Sequence, residues 1–170
     1  MRTLLTRPSK QSGSVDGLVY FAGVVGCIET LEMPISQWRK VWEINAMGCM
    51  VNAQALARRM VKQGTRGFIA FVSSISAHPV NFPQPQAADS VSRVALLSLK
   101  NCLAAEWAQY GIRIILPGYR DLILKEGDGI AEHRKIWAER NPSGRIGSPS
   151  QLMVAVVLLA SNGGDIHEQY

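Results

Sequence analysis

The run "DGLVYFAG", Asp16 to Gly23, decides the fold. It is almost continuously apolar and bounded by glycines, the pattern of a strand buried on both faces in a parallel sheet. "GFIAFVSS", Gly67 to Ser74, repeats it, and "GIRIILPG", Gly111 to Gly118, gives a third. Between the first two, Ser36 is a plausible N-cap, and Val41, Ile44, Gly48, Val51 and Ala55 follow at helical spacing towards a stop near Gly64. A second helix is read from Ser90 to Tyr110. It carries two apolar stripes: Val94, Leu97, Ala104 and Ala108, and Val91, Ala95, Cys102 and Ala105. A helix apolar over so much of its circumference is buried on more than one side. Ser148, Pro149 and Gln151 open a last helix that Gly163 and Gly164 should close. Strands alternating with helices give an α/β fold, a Rossmann-like three-layer arrangement with a short parallel sheet of three core strands flanked by helices.

The 170 residues suggest one domain, spanning 1–170, with an atypical N-terminal segment at 1–13 and a short tail at 163–170. With 47% hydrophobic and 18% charged residues the chain has the composition of a folded protein. The net charge of +5 is not gathered into a basic block; Arg58, Arg59 and Lys62 sit at a helix end, where they complement the macrodipole. No nucleic-acid partner is expected. The apolar run "LMVAVVLLA", Leu152 to Ala160, is too short to span a bilayer, so no membrane association is expected either. Cys27, Cys49 and Cys102 lack metal-ligand spacing, and Cys49 and Cys102 lie in apolar helical patterns as small core residues. No metal site is read, and a reducing, cytoplasmic location is expected.

Several stretches in this order resemble the short-chain dehydrogenase/reductase family: "DGLVYFAG", "WEINAMG", "GFIAFVSSISAHPVNFPQPQAADSVSR", "LAAEWAQYGIRI", "LPGYRD" and "GRIGSPSQLMVAVVLLAS". Within it the chain is most similar to polyol and sugar-ketone reductases, such as the fungal sorbose and xylulose reductases. The resemblance implies a Rossmann-type fold and four catalytic positions. A Ser binds the substrate oxygen, a Tyr passes the proton, a Lys lowers the Tyr pKa and holds the nicotinamide ribose, and an Asn anchors a water relay. Ser74 matches the Ser, with Ser73 and Ser76 nearby, and Asn45 matches the Asn. Asp89 stands at the Tyr position and Arg93 at the Lys position.

Near a helix N-terminus and four residues before Arg93, Asp89 is expected to be a partly exposed ion pair with a lowered pKa. No Gly-rich dinucleotide turn occurs in the chain, and the first half of the family's fold has no counterpart before Gly13. A truncated domain with no cofactor is the resulting expectation. Three functions are compatible with it. The first reading is a cofactor-independent isomerase, dehydratase or cyclase; a pseudoenzyme that binds a ligand or partner, and a residual NAD(P)-dependent oxidoreductase, are the alternatives. The catalytic candidates are Ser74, Asn45, Asp89 and Arg93. A small-molecule pocket is read from His78, Pro117 and Tyr119, with Phe21, Phe82 and Trp137 as aromatic walls. The family's four-helix interface implies a homodimer through helices 36–63 and 90–110.

Overall fold

The computed structural model describes residues 14–74, 77, 84–119, 135–136, 138–139, 145 and 149–161. Three strands form a parallel sheet in the order β1-β2-β4: β1 is Gly17–Tyr20, β2 is Gly67–Phe71 and β4 is Ile112–Ile115. Two shorter strands, β3 (Ser73–Ser74) and β5 (Gly118–Tyr119), pair in parallel beyond them. The register does not change across the gap: Ala70 lies opposite Ile115, and Ser73 opposite Gly118. Pro117, which has no N–H to give the ladder, sits at the break. Opposite it, the Val72 N–H turns to the Tyr20 carbonyl at 3.0 Å, and the Ser73 N–H reaches the Pro117 carbonyl at 2.9 Å. The sequence run Gly67 to Ser74 is therefore two strands hinged at Val72, with Ser74 on the second.

The helix expected from Ser36 to Gln63 is interrupted. α1 is Ile35–Trp42 and follows an extended Pro34, a π-helical turn spans Glu43–Met47, and α2 is Gly48–Gln63. Gly64 ends α2 with φ at 65°, where the left-handed backbone favours glycine. The face that α2 buries is Cys49, Ala53, Leu56, Ala57 and Met60; Val51 points outward. These residues meet Tyr20, Ile69, Phe71, Leu96, Leu103, Ile112 and Ile114 in one core between helices and sheet. A smaller cluster joins Met33, Val41 and Ala88 to Val24, Ile28 and Trp38.

The helix read from Ser90 to Tyr110 is α3, Ala87–Trp107, followed by a 3₁₀ turn at Ala108–Tyr110. Its inward face is Ala88, Asp89, Ser92, Arg93, Leu96 and Leu103. Neither expected apolar stripe forms that face: Val91, Val94, Cys102, Ala105 and Ala108 are exposed. Cys102 is consequently a surface thiol, and only Cys49 of the three cysteines is buried. The last helix, α4, is Pro149–Ala160, starting at the proline as the sequence indicates. Gln151 accepts a bond from Arg145 Nη1 at 3.0 Å. At the far end, Arg113 on β4 donates to the carbonyls of Leu159 at 3.0 Å and Ser161 at 3.3 Å, covering orphan acceptors of the last turn. Ser148, Gly163 and Gly164 lie outside the described residues. Among those described, no helix is long and apolar enough to cross a membrane.

Candidate functional site

Among the described candidates, Asn45, Asp89 and Arg93 meet beside Val72, just past the C-terminal end of β2, the end at which open α/β sheets bind their ligands. The π-helical turn places Asn45 fully inside. Such turns widen a helix locally and often coincide with functional positions. The Asn45 carboxamide faces the chain that leaves β1. Its Oδ1 accepts the Val24 N–H at 2.8 Å, and its Nδ2 donates to the Val24 carbonyl at 3.0 Å. Nδ2 also lies 3.0 Å from Asp89 Oδ1 and 3.0 Å from Ser92 Oγ. Two amide hydrogens thus serve three acceptors. The Asn45 carbonyl accepts the Cys49 thiol at 3.0 Å, one turn on.

Asp89 occupies the first turn of α3, as the sequence predicts, but it is not partly exposed. It is 2% accessible and Arg93 only 1%. Arg93 Nε donates to Asp89 Oδ1 at 3.2 Å, and Nη1 donates to the Val72 carbonyl at 3.3 Å. Nη2 is buried without a hydrogen-bond partner among the described residues. A side chain on Gly23 would collide with that nitrogen. The pair is therefore enclosed by α3, the π-helical turn, the Val72 hinge and the loop after β1.

Enclosure reverses the expected electrostatics. Loss of hydration pushes the Asp89 pKa above its ordinary value and outweighs the Arg93 charge and the hydrogen bonds from Arg93 and Asn45, which lower it. Burial also lifts Cys49 to about 12, against a smaller downward pull from Arg93. Tyr20 is raised too, by its own burial and then by Cys49, with Arg93 opposing. Its hydroxyl donates to the Ile44 carbonyl at 3.4 Å.

Ser74 ends β3 beside Tyr119 of β5, and Pro117 is buried next to them. The Tyr119 backbone belongs to the site; its side chain, His78, Ser76, Phe82 and Trp137 lie outside the described residues. Phe21 is 45% exposed and does not wall a closed cavity. Ser92 is a participant that sequence reading missed. Its Oγ donates to the Asp89 carbonyl at 2.7 Å while receiving the Asn45 amide. Its place three residues after Asp89, on the same helical face, was the available signal. Among the described residues, no group of three or more His, Cys, Asp or Glu gathers to hold a metal.

A short parallel sheet flanked by helices defines a Rossmann-like α/β fold. The chain belongs to the short-chain dehydrogenase/reductase family. Residues 1–166 match the family described as enoyl-(acyl carrier protein) reductase. Galactitol 2-dehydrogenase (L-tagatose-forming) of Cereibacter sphaeroides is 35% identical over 85% of this chain and 58% of its own length. L-rhamnose 1-dehydrogenase (NAD(P)(+)) of Azotobacter vinelandii is 39% identical over 88% of this chain and 59% of its own. Among solved structures, a short-chain dehydrogenase/reductase of Mycobacterium marinum superposes with a TM-score of 0.83 at 32% identity, covering 91% of this chain and 61% of that one. A gluconate 5-dehydrogenase of Burkholderia cenocepacia, in complex with NADP and tartrate, gives a TM-score of 0.78 at 26% identity, again over 91% and 61%.

These relatives overturn the expectation of a cofactor-independent isomerase, dehydratase or cyclase, because they are named as dehydrogenases of polyols and sugars. That expectation rested on Asp89 and Arg93 at the Tyr and Lys positions, on the missing Gly-rich turn and on the missing first half of the fold. The chain spans less than two thirds of the length of these relatives, so what its span lacks says nothing about cofactor use.

Proposed function

We propose that the protein is a residual NAD(P)-dependent short-chain oxidoreductase acting on a polyol or sugar. The supporting observation is kinship with polyol and sugar dehydrogenases, with Ser74 on β3 and Asn45 on the π-helical turn as the matching candidates. NAD(P), when bound, supplies hydride exchange with the substrate carbon. In this reading the Ser74 hydroxyl binds the substrate oxygen, and Asn45 holds the loop after β1 against α3. Asp89 and Arg93, as arranged, do not fit the roles that the resemblance implies. The carboxyl is sealed from solvent, and the guanidinium is directed at Val72 and Gly23 rather than outward. No proton or ribose contact is assigned to them, and turnover should be slow.

The test is an assay with NAD and NADP against galactitol, D-arabinitol and L-rhamnose, the polyols and sugar named in its relatives. The native chain should turn over weakly with one of them. Asp89→Tyr with Arg93 left in place should raise kcat by about 10²–10⁴, the usual worth of a positioned acid. No nucleotide-dependent turnover by either protein would overturn the proposal and leave ligand binding without chemistry.

A further inference from the structure

Arg93 is spread over three separate pieces of chain. Its Nε holds Asp89 on its own helix, its Nη1 holds the Val72 carbonyl at the strand hinge, and its Nη2 fills the side-chain volume of Gly23. Val72 lies two residues before Ser74, at the point where the ladder with β4 is interrupted by Pro117. Past the end of β1, its carbonyl is met by a side chain. Two backbone bonds hold the hinge, from the Val72 N–H to Tyr20 and from the Ser73 N–H to Pro117, and Arg93 adds a side-chain bond at the Val72 carbonyl.

We infer that Arg93 is a positioning residue for Ser74, and that Gly23 is its structural complement. A guanidinium carries several donors in one rigid plane, so it can bond Asp89 and Val72 at once with fixed spacing. An ammonium is a single point on a flexible stem and cannot hold both in the same plane. Releasing the Val72 carbonyl takes the Arg93 bond from the Val72–Ser73 peptide, next to Ser74, and leaves that peptide held by the Ser73 N–H to Pro117. Gly23 is required for close approach and not for backbone freedom, since only Gly64 and Gly111 have positive φ among the described glycines. A Cβ at 23 would meet Nη2, so the guanidinium tip would have to shift. The catalytic meaning of this placement rests on the proposed role of Ser74; the placement itself does not.

Amide hydrogen exchange by mass spectrometry tests the placement directly. Arg93→Lys and, separately, Gly23→Ala should each speed exchange in the segment holding Val72 to Ser74 by about tenfold or more, with α2 unchanged. Gly23→Ala introduced into an Arg93→Ala background should add less than about threefold, because the collision is gone. If Arg93→Ala fails to fold, Arg93→Gln serves as the background. Unchanged exchange at the hinge in Arg93→Lys overturns the inference, as does an equal rise throughout the chain or full additivity of the two sites. Where turnover is measurable, Arg93→Lys alone should lower kcat with little change in KM. The exchange pattern without turnover would remove the oxidoreductase reading and leave the hinge assignment intact.

Discussion

Asn45 and Val24 exchange two hydrogen bonds as if two strands met there. The backbone N–H of Val24 donates to Oδ1 at 2.8 Å, and Nδ2 returns a bond to the Val24 carbonyl at 3.0 Å. A side-chain amide is standing in for a peptide group. Asn45→Asp keeps one of these bonds, loses the donors to Val24, Asp89 and Ser92, and sets a second carboxylate against Asp89. It should destabilise the fold by about 3 kcal/mol or more, as an unpaired buried charge does. Urea unfolding followed by circular dichroism measures this; a loss below 1 kcal/mol would show that the network is slack.

The Asp89–Arg93 pair should respond asymmetrically to substitution. Arg93→Met alone strands a carboxylate inside the protein and should cost about 3–5 kcal/mol. Asp89→Leu together with Arg93→Met removes both charges and should cost far less, or even stabilise the fold. Equal losses in the single and double variants would show that the pair's geometry matters more than its charge.

The raised Asp89 pKa sets the sign of its pH linkage. A carboxyl whose folded pKa exceeds its unfolded value of 3.8 contributes its full stability below that value. The contribution is lost as pH rises through the folded pKa. The stability of the native protein minus that of Asp89→Asn should therefore fall with rising pH over this window and then level off. Urea melts at stepped pH give the difference; an upward slope would mean that Arg93 dominates and holds the carboxyl low.

Thiol reactivity should divide the three cysteines. Cys27 and Cys102 are exposed and should react with Ellman's reagent in the native state. Cys49, with its pKa lifted to about 12 and its Sγ bonded to the Asn45 carbonyl, should react only after unfolding. Rapid native labelling of Cys49 would show that the core around the π-helical turn opens readily.

Self-association is expected through the outer faces of α2 and α3. Val91 and Val94 are 47% and 48% exposed, and Val51 is exposed on α2. Apolar surface presented by two neighbouring helices favours a symmetric partner. Light scattering at micromolar concentration should give a dimer, and Val91→Glu with Val94→Glu should give a monomer. A native monomer refutes this.

The three core strands were legible because each is a mostly apolar run opened by a glycine, although most of β1 and alternate residues of β4 are only half-buried. The helix stop at Gly64 was legible because only glycine sits easily at positive φ. The inner face of α3 was not legible for the opposite reason. Asp89, Ser92 and Arg93 point inward and satisfy one another, so hydropathy assigned the core to Val91 and Val94 on the outside. Asn45 could be placed by resemblance, yet its partner Val24 is a backbone group distant in sequence, and backbone partners leave no signature in side-chain pattern. The sign of the Asp89 shift failed with the burial: helix dipole and cation were counted, desolvation was not.

The break at Val72 separates the sheet into a part that stabilises the protein and a part that presents Ser74, although both share one register. Because side chains alternate along a strand, a single residue inserted at this hinge would turn Ser74 to the opposite face while β1, β2 and β4 kept their pairing.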